Sequence, residues 1–318
     1  MNNKTKKIFM DIILVVCIVS FLLSAVFLLE YYLIVPAGEK KVYEELRVEN
    51  LKLEELIEAE TPISQLKPDY SEALKINDET VGWVRISGTE IDYPVVQHPD
   101  DANLDADNYY YLNHNFKRKR SVGGAVFLDY RNDSANLDTN TVLWGHNVYH
   151  KQNKEPIFSD LVNYENVEFY KKHPIIEFNT LENYYQWKIC AVFVTNQESK
   201  DDNGYVFNFF YPFLDGENFN GYVDEINKRT LYNTGVDIVE GDKFITLVTC
   251  YRGLDLPDYR APSYIVVVAR QVRENEEINV DVENVAINDN PKYPQLYYDK
   301  YGLTNPYIDD EKWYPTEV

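Results

Sequence analysis

Cysteine is scarce in this chain, with three in 318 residues at positions 17, 190 and 250. So few thiols exclude a disulfide scaffold. Positive charge is also short: 31 Lys and Arg face 52 Asp and Glu, for a formal charge of −21. No nucleic acid is expected as a partner, because that would require a basic face. There is no glycine-rich loop of the kind that cradles phosphate and no internal repeat, so nucleotide chemistry has no support. His, Cys and Asp are nowhere clustered at metal-ligand spacing, and neither a metal nor another cofactor is implied. Apolar and aromatic residues are abundant instead. Hydrophobic residues make up 45% of the chain and its 27 tyrosines are spread along its length, enough for a large core and suited to a β-rich surface domain.

The N-terminus carries Lys4, Lys6 and Lys7, then an apolar run from Ile12 to Leu29 broken only by Ser20 and Ser24. That length crosses a bilayer. Ser24-Ala25-Val26 runs straight on into Phe27-Leu28-Leu29 rather than ending at a small-x-small cleavage site, so an uncleaved anchor is expected. Residues 1–7 then form a cytoplasmic basic stub, 8–35 a membrane anchor, and everything beyond lies outside the cell. Segment 36–68, rich in Glu, Lys and Leu, reads as a helical stalk or linker that lifts the following domain off the membrane as a solvated spacer.

From residue 69 to 273 the period changes. Short β-type runs bounded by turn residues appear at 82–86, 91–96, 124–128, 141–144, 175–178, 185–195, 243–249 and 264–272. Eight such runs make a mainly β fold, a closed or nearly closed barrel. Helical patterns are expected at 70–75, 158–163, 167–172 and 219–229, the last inside a long insertion between Thr195 and Lys243.

Within this β-rich region, Thr246-Leu247-Val248-Thr249-Cys250 delivers a cysteine to the end of an apolar strand, with Leu143-Trp144-Gly145-His146-Asn147 upstream. A thiol attacks as thiolate and needs a base and a nearby cation. His146 and Cys250 are the candidate pair. His98, His114, His150 and His173 sit in polar surroundings and read as surface residues.

Several blocks in this order resemble class B sortases, membrane-anchored transpeptidases of Gram-positive cell surfaces. They are Asn77-Asp78-Glu79-Thr80-Val81-Gly82-Trp83-Val84, Gly88-Thr89-Glu90-Ile91-Asp92-Tyr93-Pro94-Val95-Val96-Gln97, Asn108-Tyr109-Tyr110-Tyr111-Leu112, Gly124-Ala125-Val126-Phe127-Leu128-Asp129-Tyr130-Arg131-Asn132, Asn140-Thr141-Val142 running on into the Leu143–Asn147 block, and Thr246–Cys250. The resemblance implies a sortase-like eight-stranded β-barrel with N-terminal helices and a helix-containing insertion before the penultimate strand. It also implies that Cys250 is the nucleophile, His146 the proton donor and acceptor, and a nearby arginine the oxyanion or backbone ligand. In the family that arginine usually opens the final strand, a register held here by Ser263-Tyr264. Arg260, ten residues after Cys250, is the expected substitute, with Arg252 as the rival. By the same resemblance Asn108, Leu112, Trp144, Thr249 and Tyr264 would bind substrate, and Asp129 is either a turn residue or part of a charge relay.

The implied reaction is a two-step acyl transfer. A C-terminal sorting motif of the Asn-Pro-x-Thr-x type, borne by a surface protein or pilin, is cleaved, and the acyl group passes to an amine of a peptidoglycan precursor or a pilin lysine. Two other readings remain: a silent relative that binds sorting signals without cleaving them, and a Cys/His cell-wall hydrolase. Papain-like hydrolases, however, place Cys before His and at a helix start. Residues 274–318 form an acidic, aromatic and proline-containing extension, expected either as a peripheral stabilising segment or as one that packs back on the barrel.

Overall fold

Strand-forming runs that are apolar on both faces need a core on each side, and this chain provides two. A computed structural model of the chain describes residues 3–58, 68–99, 109–147 and 157–316. Eight strands close into a barrel: β1 (Thr80–Arg85), β2 (Asp92–Val96), β3 (Val126–Leu128), β4 (Asn140–Trp144), β5 (Ile175–Thr180), β6 (Gln186–Asn196), β8 (Phe244–Tyr251) and β9 (Ser263–Gln271). Their order around it is β1-β2-β3-β4-β8-β9-β6-β5. The expected eight-stranded barrel is thus present. A further pair, β7 (Tyr232–Asn233) with β10 (Ala286–Ile287), is too short to leave a sequence signal.

Strand β6 shows how the two cores are divided. Ile189, Val192 and Val194 point into the barrel, while Cys190, Ala191 and Phe193 face outward under the insertion. The register slips between Ile189 and Ala191, a bulge that turns two consecutive residues to the same face. Cys190 occupies that bulge and is buried.

The insertion folds as a layer over this outer face. Its helix α6 (Gly216–Arg229) contributes Phe219, Tyr222 and Ile226 to the outer core, beside Phe207 and Phe209 of the loop before it. The shorter helices are α3 (Ser71–Ile76), α4 (Tyr109–Asn113), α5 (Val167–Lys172) and α7 (Gln295–Tyr301), and a 3-10 segment spans Ser159–Glu165. Three of the expected helices are found at these positions, and α4 and α7 are additional to them.

At the N-terminus, α1 (Asn3–Leu29) continues through one π-helical turn (Glu30–Ile34) into α2 (Val35–Glu58). The stretch from Lys4 to Arg47 is long and apolar enough to cross a membrane. Here the structure departs from the expected solvated spacer. Glu39, Val42, Tyr43 and Leu46 are buried, Tyr43 meets Tyr93 edge-on at 5.1 Å between ring centres, and Arg47 Nε donates to Asp92 O at 2.8 Å. Val42, Tyr43 and Leu46 share one helical face and form an apolar stripe, so this part of α2 docks on the barrel. The rest of the expected linker, 59–67, lies outside the described residues.

The C-terminal extension runs back over the insertion. The Trp313 ring packs against Phe207 and Tyr222, Thr316 N donates to Asn218 Oδ1 at 2.9 Å, and Gln295 N donates to Asp202 Oδ1 at 2.9 Å.

Candidate active site

Strands β4 and β8 run parallel, with Asn140 opposite Phe244 and so on to Trp144 opposite Val248. Partners in this ladder are 104 residues apart, and so are His146 and Cys250. The pairing continues past the end of β4: Gly145 N donates to Val248 O at 3.2 Å, Thr249 Oγ1 to Gly145 O at 2.7 Å, and Asn147 Nδ2 to Cys250 O at 2.9 Å. Asn147 uses its side-chain amide where a continuing strand would use a backbone N–H. The ladder therefore brings the His146 and Cys250 backbones level.

Alternation along β8 decides which way the thiol points. Ile245, Leu247 and Tyr251 belong to the barrel interior, Phe244 and Val248 to the outer core. Cys250 shares the outward face and is half-buried. Opposite it on β9 stands Tyr264, whose ring meets Trp144 edge-on at 5.4 Å. Phe209 and Phe210 of the insertion lie against Trp144 at 6.1 and 6.5 Å between ring centres. The thiol thus sits at the end of an aromatic wall.

One hydrogen bond orients the imidazole. His146 Nε2 lies 2.8 Å from Leu112 O; a carbonyl only accepts, so Nε2 carries the proton and Nδ1 is left to exchange one. Burial lowers the His146 pKa, the Leu112 carbonyl opposes this, and Arg252 lowers it further. Gly124 keeps the space beside the ring open. Its φ is +62° and a Cβ there would lie 2.4 Å from Tyr111 O and 3.2 Å from the His146 ring, so no other residue fits without strain.

Burial raises the Cys250 pKa, and Arg252, then Arg260, oppose it. Both shifts favour the neutral forms, so the thiolate depends on nearby cations. Both arginines are exposed in the loop between β8 and β9.

Other expected residues fall variously. Asn108 lies outside the described residues. Leu112 contributes its carbonyl to His146. Trp144 is tied by Nε1–H to Asp129 Oδ2 at 2.8 Å. Thr249 is 1% exposed and its hydroxyl is spent on Gly145 O, so it holds the β4–β8 junction rather than offering a substrate contact. Asp129 is no relay partner: it takes both Arg131 Nε and Nη2 at 2.7 Å as well as the indole, and so orients Trp144. The other histidines are more engaged than surface residues. His98 stacks on Tyr110 at 3.9 Å, His114 stacks on the same ring at 4.2 Å, and His173 Nδ1 bonds Ser87 O at 2.8 Å; His150 lies outside the described residues. Asn147 and Gly124 were not singled out from the sequence, although both stand in quoted blocks.

The sortase domain matches residues 84–272 of this chain, a span that includes His146, Cys250 and both arginines. The chain is 30% identical over 256 residues to sortase B of Staphylococcus aureus, covering 80% of this chain and 96% of that one. It is 31% identical over 189 residues to sortase B of Listeria monocytogenes, covering 58% and 68%. The chain belongs to the sortase family, in its class B. This sortase is accordingly a cysteine transpeptidase. Its fold superposes on the Staphylococcus aureus sortase B–substrate complex with a TM-score of 0.58 at 29% identity, covering 74% of this chain and 95% of that one. In this sortase the extension beyond residue 273 falls outside the matched domain.

Proposed function

We propose that this sortase cleaves a C-terminal sorting motif of the Asn-Pro-x-Thr-x type with Cys250 as nucleophile and His146 as proton carrier. The observation that supports this most is the β4–β8 register, which sets His146 level with Cys250. The thiol proton passes to His146 Nδ1, and the thiolate attacks the Thr carbonyl. The imidazolium then protonates the leaving amine as the C–N bond breaks, leaving a thioacyl enzyme. An incoming amine gives its proton to neutral His146 and attacks the thioester, which releases Cys250 and forms the new amide. Arg260 takes the developing oxyanion or the peptide backbone beside it, while Arg252 sets the field at the thiol. Leu112, Trp144 and Tyr264 line the substrate groove.

The acyl donors are surface proteins or pilins, and the acceptor amine belongs to a peptidoglycan precursor or a pilin lysine. Helix α1 anchors the enzyme in the cell membrane as a single pass with its N-terminus cytoplasmic and the barrel outside, which suits the basic residues before the span. Mass spectrometry after incubation with a panel of sorting-motif peptides tests the reading. A thioacyl adduct on Cys250, discharged by added amine, is expected; binding of the peptides with no adduct would make the protein a silent binder and overturn it.

A further inference from the structure

The C-terminal extension reaches the loop that carries the two arginines. After Cys250 and Tyr251, residues Arg252 to Asp255 form a turn closed by Asp255 N donating to Arg252 O at 3.2 Å. Two carbonyls of this turn converge on one cation: Lys300 Nζ donates to Gly253 O at 2.6 Å and to Asp255 O at 2.8 Å. A carbonyl turned away from water needs a partner, and charge-assisted donors are the stronger ones. No side chain fits at Gly253 without displacing the Tyr251 ring, since a Cβ there would lie 2.1 Å from its hydroxyl.

Lys300 is itself held in place. It occupies the last turn of α7, which Gly302 ends at φ +63°. Leu296, one turn before Lys300, and Tyr298 are the buried residues of that helix. At its start, Gln295 N is tied to Asp202 of the insertion at 2.9 Å. A seven-residue helix is marginal alone, so these contacts fix where the ammonium stands. The other half of the loop is anchored without the extension, by Tyr259 Oη donating to Asp201 Oδ2 at 3.0 Å.

We propose that Lys300 is a positioning residue: it holds the turn that carries Arg252, two residues after Cys250, and the C-terminal extension thereby sets the reactivity of the thiol. This rests on Cys250 being the nucleophile proposed above. It adds to the shared sortase domain a residue from outside it.

The test is the rate of Cys250 alkylation by iodoacetamide against pH in the full-length protein, which needs no peptide substrate. Lys300→Met is expected to slow alkylation at neutral pH roughly threefold and to move the midpoint upward, as Arg252→Ala does. Lys300→Arg restores at least half of the loss. In an Arg252→Ala background, Lys300→Met changes nothing further, whereas a direct effect of the Lys300 charge would persist there. A wild-type profile for Lys300→Met, or an undiminished effect in the Arg252→Ala background, overturns the proposal. Failure of the wild-type enzyme to form any thioacyl adduct, with the Lys300 dependence of alkylation intact, would instead sink the proposed function and leave this positioning role standing.

Discussion

Strand β9 has an arginine problem at each end, solved in opposite ways. At its far end, Arg270 is 1% exposed and all five of its N–H groups are committed: Nε to Asp237 O, Nη1 to Gln271 O and Glu276, Nη2 to Asp237 and Glu276. Arg270 and then Lys188 hold the Glu276 carboxyl well below the usual range. At its near end, Tyr264 faces Cys250, and the guanidiniums of Arg252 and Arg260 stand exposed in the preceding loop. A saturated, buried guanidinium ties elements together and has no donor left for a substrate. An exposed one beside a half-buried thiol keeps its donors and lends only its field.

The sharpest way to break this contrast is at the thiol. Cys250→Ala is expected to abolish thioacyl formation, read by mass spectrometry, while the melting temperature stays near wild type. Arg270→Met should do the reverse: removing one partner from a buried ionic network costs about 3–5 kcal/mol, read as a lowered denaturation midpoint, whereas the alkylation rate of the remaining folded protein is retained. Arg260→Ala is expected to lower kcat/KM about 100-fold, with stability changed by no more than about 0.5 kcal/mol; near-wild-type turnover would move the oxyanion role to Arg252. The smallest effect concerns protonation. Cys250 is raised by burial, so its alkylation should climb with pH to a midpoint above the ordinary thiol value of about 8.5. Arg252 lowers that pKa, and so Arg252→Ala should shift the midpoint further upward.

Much of this was legible in the residues. The barrel strands could be read because β-branched and aromatic runs between turn residues report local burial, and Val167–Lys172 announced itself by period and charge. Cys250 and His146 stood out as the residue types acyl transfer requires. Other features left no local trace. The docking of α2 depends on a matching surface around Tyr93 and Phe116, so its stripe alone did not separate a stalk from a packed helix. Thr249 looked like a groove residue because its position next to Cys250 says nothing of which face it takes. Asp129 could be assigned to Trp144 only once β3 and β4 were paired.

By itself the sequence determined which segments bury apolar surface, where the chain turns, which thiol and imidazole are available, and that one N-terminal helix is apolar enough to span a bilayer. These follow from short-range periodicity and side-chain chemistry. The tertiary structure alone decided that β4 and β8 run side by side at a constant offset, that Thr249 turns inward while Cys250 turns outward, and that Lys300 reaches back to the turn after Cys250. Those relations join residues tens to hundreds of positions apart. No local pattern encodes them, because register and docking are set by the simultaneous packing of both faces of the sheet.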